Sequence, residues 1–116
     1  MKKYVLLFRM DIITESARPT AAQMQSYMAS WMEWIDAITA KGQLAEGGNH
    51  LSREGKLLRP KNKMADGPYV ANKESVAGYI IIQAKSMNEA VSIAKRCPIL
   101  EGEGTSVEVR ETAQPG

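Results

Sequence analysis

Apolar residues recur along this chain with two different periods, and the periods divide it into strands and helices. Tyr4 to Phe8 is a continuous apolar run bounded by Lys3 and Arg9, too short for a helix, and it predicts a buried central strand. Arg9, Met10 and Asp11 fall at its end. Further on, Met24, Tyr27, Met28, Trp31, Ile35 and Ile38 recur at three- and four-residue intervals, which sets them on one stripe of a long helix. Thr20 is the N-cap of that helix, Gln23 completes a capping box, and Gly42 closes it. Met32 and Trp34 fall at the edge of the stripe or outside it. Trp34 is therefore either the rim of a wide core stripe or a surface for a second chain.

The second half of the chain is punctuated by glycine and proline. Two short strands, roughly 43–51 and 56–59, read as a hairpin joined at Ser52-Arg53-Glu54-Gly55, with Pro60 ending the second arm. Gly47-Gly48 inside the first arm marks a bulge or a close approach of backbones. Asp66-Gly67-Pro68-Tyr69 reads as a rigid bend, and it leads into Tyr79-Ile80-Ile81-Ile82, an uncharged run rich in β-branched residues that predicts a second strand buried on both faces. Ser86 to Glu89 carries a second capping box and opens a helix whose Ala90, Val91 and Ala94 face the sheet, and Pro98 stops it. After a Gly102–Gly104 loop, alternation along Thr105 to Arg110 turns Val107 and Val109 inward and Glu108 and Arg110 outward. Thr112 to Gly116 reads as a frayed tail.

Strand, helix, hairpin, strand, helix, strand is the order of an α+β fold of the ferredoxin-like, split β-α-β kind, here a single domain over residues 1–116. Its helices cover one face of the sheet. The other face needs a cover, and a second copy across a two-fold axis supplies one, so a homodimer is expected.

Bulk composition narrows the function classes. Hydrophobic residues at 44% and charged residues at 24% are ordinary for a globular chain. A net charge of +2 is too small for direct nucleic-acid binding, and the local cluster of Lys56, Arg59, Lys61 and Lys63 reads as solvated loop. The lone Cys97 excludes an intramolecular disulfide. The five apolar residues after Met-Lys-Lys are short of a signal-peptide core, and no run is long enough for a membrane span, so a cytoplasmic location is expected.

Candidate chemistry gathers at the bend. Asp66 is placed to act as a general base or to anchor a cationic or hydroxyl-bearing ligand, and equally to close the turn before Gly-Pro. A pocket between the sheet and the first helix would be lined by Asp66, Tyr69, Tyr27 and Trp31. Lys73 and Glu74 could hold a ligand carboxylate, pair across an interface, or simply be solvated. His50, the only histidine, has no His or Cys near it in sequence and reads as a strand-end surface residue, so no metal and no cofactor are assigned. Cys97, at the end of a helix, reads as a buried structural thiol. Arg9, Glu108 and Arg110 sit on strands expected to be central or nearly so, where charges must pair or face a cleft.

The segments DGPYVANKESVAGYIII, MNEAVSIAKRCPIL and SVEVRE resemble, in order and spacing, the YCII-related proteins of the branch named after its DGPF motif. Asp66, Gly67, Pro68, Lys73 and Glu74 match that motif, while Tyr69 stands for its Phe. The resemblance implies a dimeric α/β barrel and no settled activity. Catalytic proposals in the family rest on a His and an Asp near the cleft between first helix and sheet. In this chain those positions fall at Trp31 and Cys97, which leaves Asp66 as the remaining acid–base candidate. Three functions follow as expectations. They are a dimeric module binding or sensing a small polar molecule, an enzyme with Asp66 as base, and a protein partner of a transcription (sigma) factor, as some relatives' gene neighbourhoods imply. An exposed Trp34 would favour the last.

Overall fold

A computed structural model describes residues 1–113 of the chain; of the expected frayed tail, residues 114–116 lie outside the described residues. Thr112 is still held, donating its backbone N–H to the Lys3 carbonyl at 3.0 Å. The elements are β1 (Lys2–Asp11), α1 (Ala21–Ala40), β2 (Leu44–His50), β3 (Gly55–Arg59), β4 (Lys63–Gly67), β5 (Glu74–Ala84), α2 (Met87–Ala94) and β6 (Thr105–Glu111), with single 3-10 turns at Glu15–Ala17 and Pro98–Glu101.

Four strands form one antiparallel sheet in the order β2-β5-β1-β6. With the β3–β4 insertion set aside, this is the ferredoxin-like order. β1 and β5 are central, as their uncharged runs predict, because both faces of a middle strand are shielded from water. Tyr4, Leu6, Phe8, Ile80, Ile82 and Ala84 point to one face and form a single core with Trp31, Trp34 and Ile38 of α1 and Ala90 and Ala94 of α2. Val107 and Val109 pack against the same core. Both helices thus lie on one side of the sheet.

The caps form largely as the sequence specifies. Thr20 accepts from the Gln23 amide while the Gln23 side chain accepts from the Thr20 amide, a closed capping box, and Gly42 carries a φ of +68° beyond the end of α1. At α2 only half of the box exists. Ser86 Oγ accepts from the Glu89 amide, but Glu89 Oε1 turns to the Lys85 amide at 3.2 Å and to Gln43 Nε2 at 2.9 Å. Glu89 therefore ties α2 to the start of β2 rather than to its own N-cap.

Of the two readings of Trp34 the core stripe holds: it is buried, and its Nε1 donates to the Ile93 carbonyl of α2 at 3.1 Å. Two expectations are corrected. The expected hairpin of residues 43–51 with 56–59 does not form, because β2 pairs with β5 and β3 pairs instead with β4 in a separate two-stranded sheet. β6 is an edge strand, which relaxes the constraint on its charges: Arg9 Nη1 pairs with Glu108 Oε1 at 2.6 Å, and Arg110 reaches the same carboxylate at 3.4 Å.

β2 reaches β5 only through its glycines. Gly48 has a φ of +62°, and a Cβ built on it would stand 1.7 Å from the Tyr79 carbonyl oxygen, whereas a Cβ on Gly47 meets nothing within 4 Å. The register shifts across these two residues, between Glu46 and Asn49, as their pairing suggested. Gly48→Ala should therefore lose about 3 kcal/mol of stability or fail to fold, while Gly47→Ala should change it by less than about 1 kcal/mol, measured by urea unfolding of both variants.

Candidate functional site

The strand register aligns four residues across the helix-covered face: His50 on β2, Gly78 on β5, Phe8 on β1 and Val107 on β6. Gly78 contributes no side chain to that row, and the Trp31 ring of α1 lies between the phenyl ring and the imidazole. A Cβ at Gly78 would come within 2.8 Å of the Asn49 carbonyl oxygen, so the glycine is what admits β2 at this distance. α1 roofs the space beside this row with Trp31, Met32 and Ile35, above Phe8, Tyr79, His50 and the Gly47–Asn49 segment. The result is a half-open recess of about 210 Å³.

Its walls are aromatic and uncharged. The Trp31 ring lies 4.9 Å from Phe8, edge to face at 80°, and 5.1 Å from the His50 imidazole at a 52° tilt. Trp34 and Tyr27 hold Trp31 from behind at 5.2 and 6.0 Å. Burial pushes the Tyr27 hydroxyl up to about 12, with a smaller contribution from the Cys97 thiol. Burial also raises Cys97 itself to about 12, against a smaller opposing effect of the Ile99 amide. Both groups keep their protons at neutral pH, so neither supplies a general base.

The residues singled out from sequence are dispersed. Trp31 lines the recess and Tyr27 supports it. Asp66 lies on β4, its side chain 89% exposed, with Oδ1 accepting from Lys56 Nζ of β3, and it does not line the recess. A Cβ built on Gly67 would stand 3.0–3.2 Å from the Gly55–Lys56 backbone, and the Gly67–Pro68 peptide is cis. Tyr69 is exposed, and its carbonyl accepts from the buried Ser75 hydroxyl at 2.6 Å. Asn72 and Lys73 occupy a tight turn with positive φ, closed by the Ala71–Glu74 bridge. Glu74 faces the opposite side of the sheet and accepts from Ser106 Oγ at 2.8 Å.

His50 is, as expected, an exposed residue at the end of a strand, and what the sequence did not show is that it lines the recess. Its neighbour is Trp31, nineteen positions away, and it is brought there by pairing with Gly78. The available signal was Gly78 itself, since a glycine inside a strand marks a close approach or a site that must stay open.

The profile of the YCII-related domain matches residues 10–113. The chain belongs to the YCII-related family. None of the curated proteins compared with it is similar in sequence. Among solved structures, the 5-chloro-2-hydroxyhydroquinone dehydrochlorinase of Burkholderia phenoliruptrix AC1100, in complex with 2,5-dihydroxybenzoquinone, is similar over 97% of this chain and 95% of that one, at 18% identity and a TM-score of 0.48. Within this YCII-related domain no helix of the described residues is long and apolar enough to cross a membrane.

The raised acidities of Tyr27 and Cys97 fix a sign. Between about pH 9 and 12 the unfolded chain releases protons that the folded chain retains, so it binds fewer protons and stability falls as pH rises through that window. Thermal melts from pH 7 to 11 should show this decline. At pH 8, native protein should resist iodoacetamide at Cys97, which reacts once urea unfolds the chain.

Proposed function

We propose that this protein binds a small, flat, largely apolar molecule in the recess between β2 and α1, its ring against Trp31 and one polar group against His50. The observation that carries this reading is the half-open recess on which the Phe8, Trp31 and His50 rings converge. Its rim is the Gly47–Asn49 backbone, whose approach to β5 is already at contact distance. Its size, about 210 Å³, lies below the roughly 300–1,000 Å³ of sites for drug-sized ligands and suits a single-ring compound. With no Asp, Glu, Lys or Arg on its walls, the recess favours a neutral guest. His50 then serves as a hydrogen-bonding group that fixes orientation. Binding is favoured over acid–base catalysis because Tyr27 and Cys97 stay protonated behind Trp31 and Asp66 is paired with Lys56 on another sheet.

The second part of the reading is a homodimer. The helix-free face presents the rows Ile81–Val5–Arg110 and Tyr79–Leu7–Glu108, in which four large apolar residues are only partly covered. A second copy packing this face on its own equivalent would shield them, a self-complementary contact of the kind two-fold dimers use. Native protein should sediment as twice the chain mass, and Val5→Lys should sediment as a folded monomer; a native monomer at micromolar concentration would remove this part.

Screening single-ring metabolites for quenching of tryptophan fluorescence identifies the guest. With that guest, His50→Ala should weaken binding by about tenfold, the worth of one hydrogen bond. Asp66→Asn should leave affinity unchanged. The reverse pattern, loss with Asp66→Asn and none with His50→Ala, would move the ligand to the β3–β4 sheet.

A further inference from the structure

The β3–β4 hairpin stands apart from the main sheet as an arm. The radius of gyration is 15.5 Å, against roughly 13 Å for a compact chain of this length. On the arm, Leu58 and Met64 are directly paired across the strands, yet they are 76% and 65% exposed. A cross-strand apolar pair with nothing over it is an incomplete contact. Beyond it the chain turns sharply at Lys61 and Asn62, both at positive φ, and Arg59, Lys61 and Lys63 make the tip strongly cationic. Lysines along free strand edges oppose the addition of further strands, so the arm is built to dock by its side chains.

A matching surface lies on α1. Met24, Met28 and Met32 are exposed at i, i+4 and i+8, and Asp36 continues the same ridge, with Glu33 beside it. Apolar residues followed by acids on the ridge answer apolar residues followed by bases on the arm. The lengths agree as well. Leu58 to Lys61 spans about 10 Å of extended chain, and Met28 to Asp36 about 12 Å of helix. Methionine suits such a contact because its flexible side chain adapts to the partner's shape.

We propose that the β3–β4 arm of one copy docks on the α1 methionine ridge of a second copy of this chain, Leu58 and Met64 against Met28 and Met32, with the cationic tip beside Glu33 and Asp36. The contact is separate from the pairing of sheet faces and does not depend on the recess holding a ligand. Met32 also lines the recess, so a docked arm lies beside its mouth.

Two single variants test this, Leu58→Cys in one tagged population and Met28→Cys in another, mixed and oxidised under mild conditions. Native Cys97 is buried and stays out of the reaction. A disulfide-linked heterodimer is expected, with yield at least fivefold above that of a Leu58→Cys mixture with Ser92→Cys, an exposed position on α2. Adding Lys61→Glu and Lys63→Glu to the arm should suppress the link, and adding Glu33→Lys and Asp36→Lys to the ridge should restore it. These are surface positions, and circular dichroism checks that each variant is folded. Absence of the link, or equal linking to Ser92→Cys, overturns the proposal and leaves the arm to an acidic partner of another kind. A link indifferent to charge reversal overturns the placement of the tip at Glu33 and Asp36.

Discussion

β2 and β5 approach so closely at Gly48 and Gly78 that a methyl group on either would overlap the opposite backbone, and much of the arrangement around α1 follows from that contact. It fixes the bulge in β2, hence the register that sets His50 opposite Gly78, hence the distance between the imidazole and Trp31. The aromatic cluster depends on it in turn, since Trp31 is confined between Phe8 on one side and His50 on the other. Hydrophobic burial supplies the drive to pack α1 on the sheet, but burial is indifferent to direction. The close approach of Gly48 to the Tyr79 backbone and of Gly78 to the Asn49 backbone, specified by sterics, sets the register that burial alone leaves open.

Charges are kept away from this region. Arg9, Glu108 and Arg110 satisfy one another on the opposite face, and Asp11 accepts the amides of Ile13 and Thr14 at 2.8 Å at the far end of β1. Those contacts hold the carboxyls of Glu108 and Asp11 below the usual carboxylate range. Behind Trp31 the titratable groups are a phenol and a thiol, both driven toward the neutral form by burial. The ion pairs of Arg9 and Arg110 with Glu108 thus lie across the sheet from the aromatic cluster.

What could be read from the sequence was whatever depends on local period and local caps. The Tyr4–Phe8 run, the Thr20 box, Gly42 and the alternation about Val107 and Val109 each settle their element within a few residues. The oddity at Gly47-Gly48 was visible for the same reason. β4 was not, because Lys-Met-Ala-Asp-Gly has neither alternation nor β-branched residues and lies exposed on both faces, so nothing in it signals a strand until β3 is alongside. The expected hairpin failed on adjacency: neighbouring strands usually pair, but β2 finds a glycine-lined partner in β5. Trp34 sits on the edge of its stripe, and only the Ile93 carbonyl, on an element fifty-nine residues away, makes that edge part of the core. His50 was hidden likewise, since its neighbours are set by cross-strand register.

A site walled by a sheet below and a helix above has an uneven capacity for change. On the sheet side, Gly48 and Gly78 admit no larger residue without parting two strands. The roof is different. Met32 lies on the exposed flank of α1, where a shorter or bulkier residue trades volume without touching the register. Divergence in what the recess admits would therefore be written on the helix while the sheet beneath stays fixed, and among relatives sharing the glycine pair, α1 is where a change of guest should leave its trace.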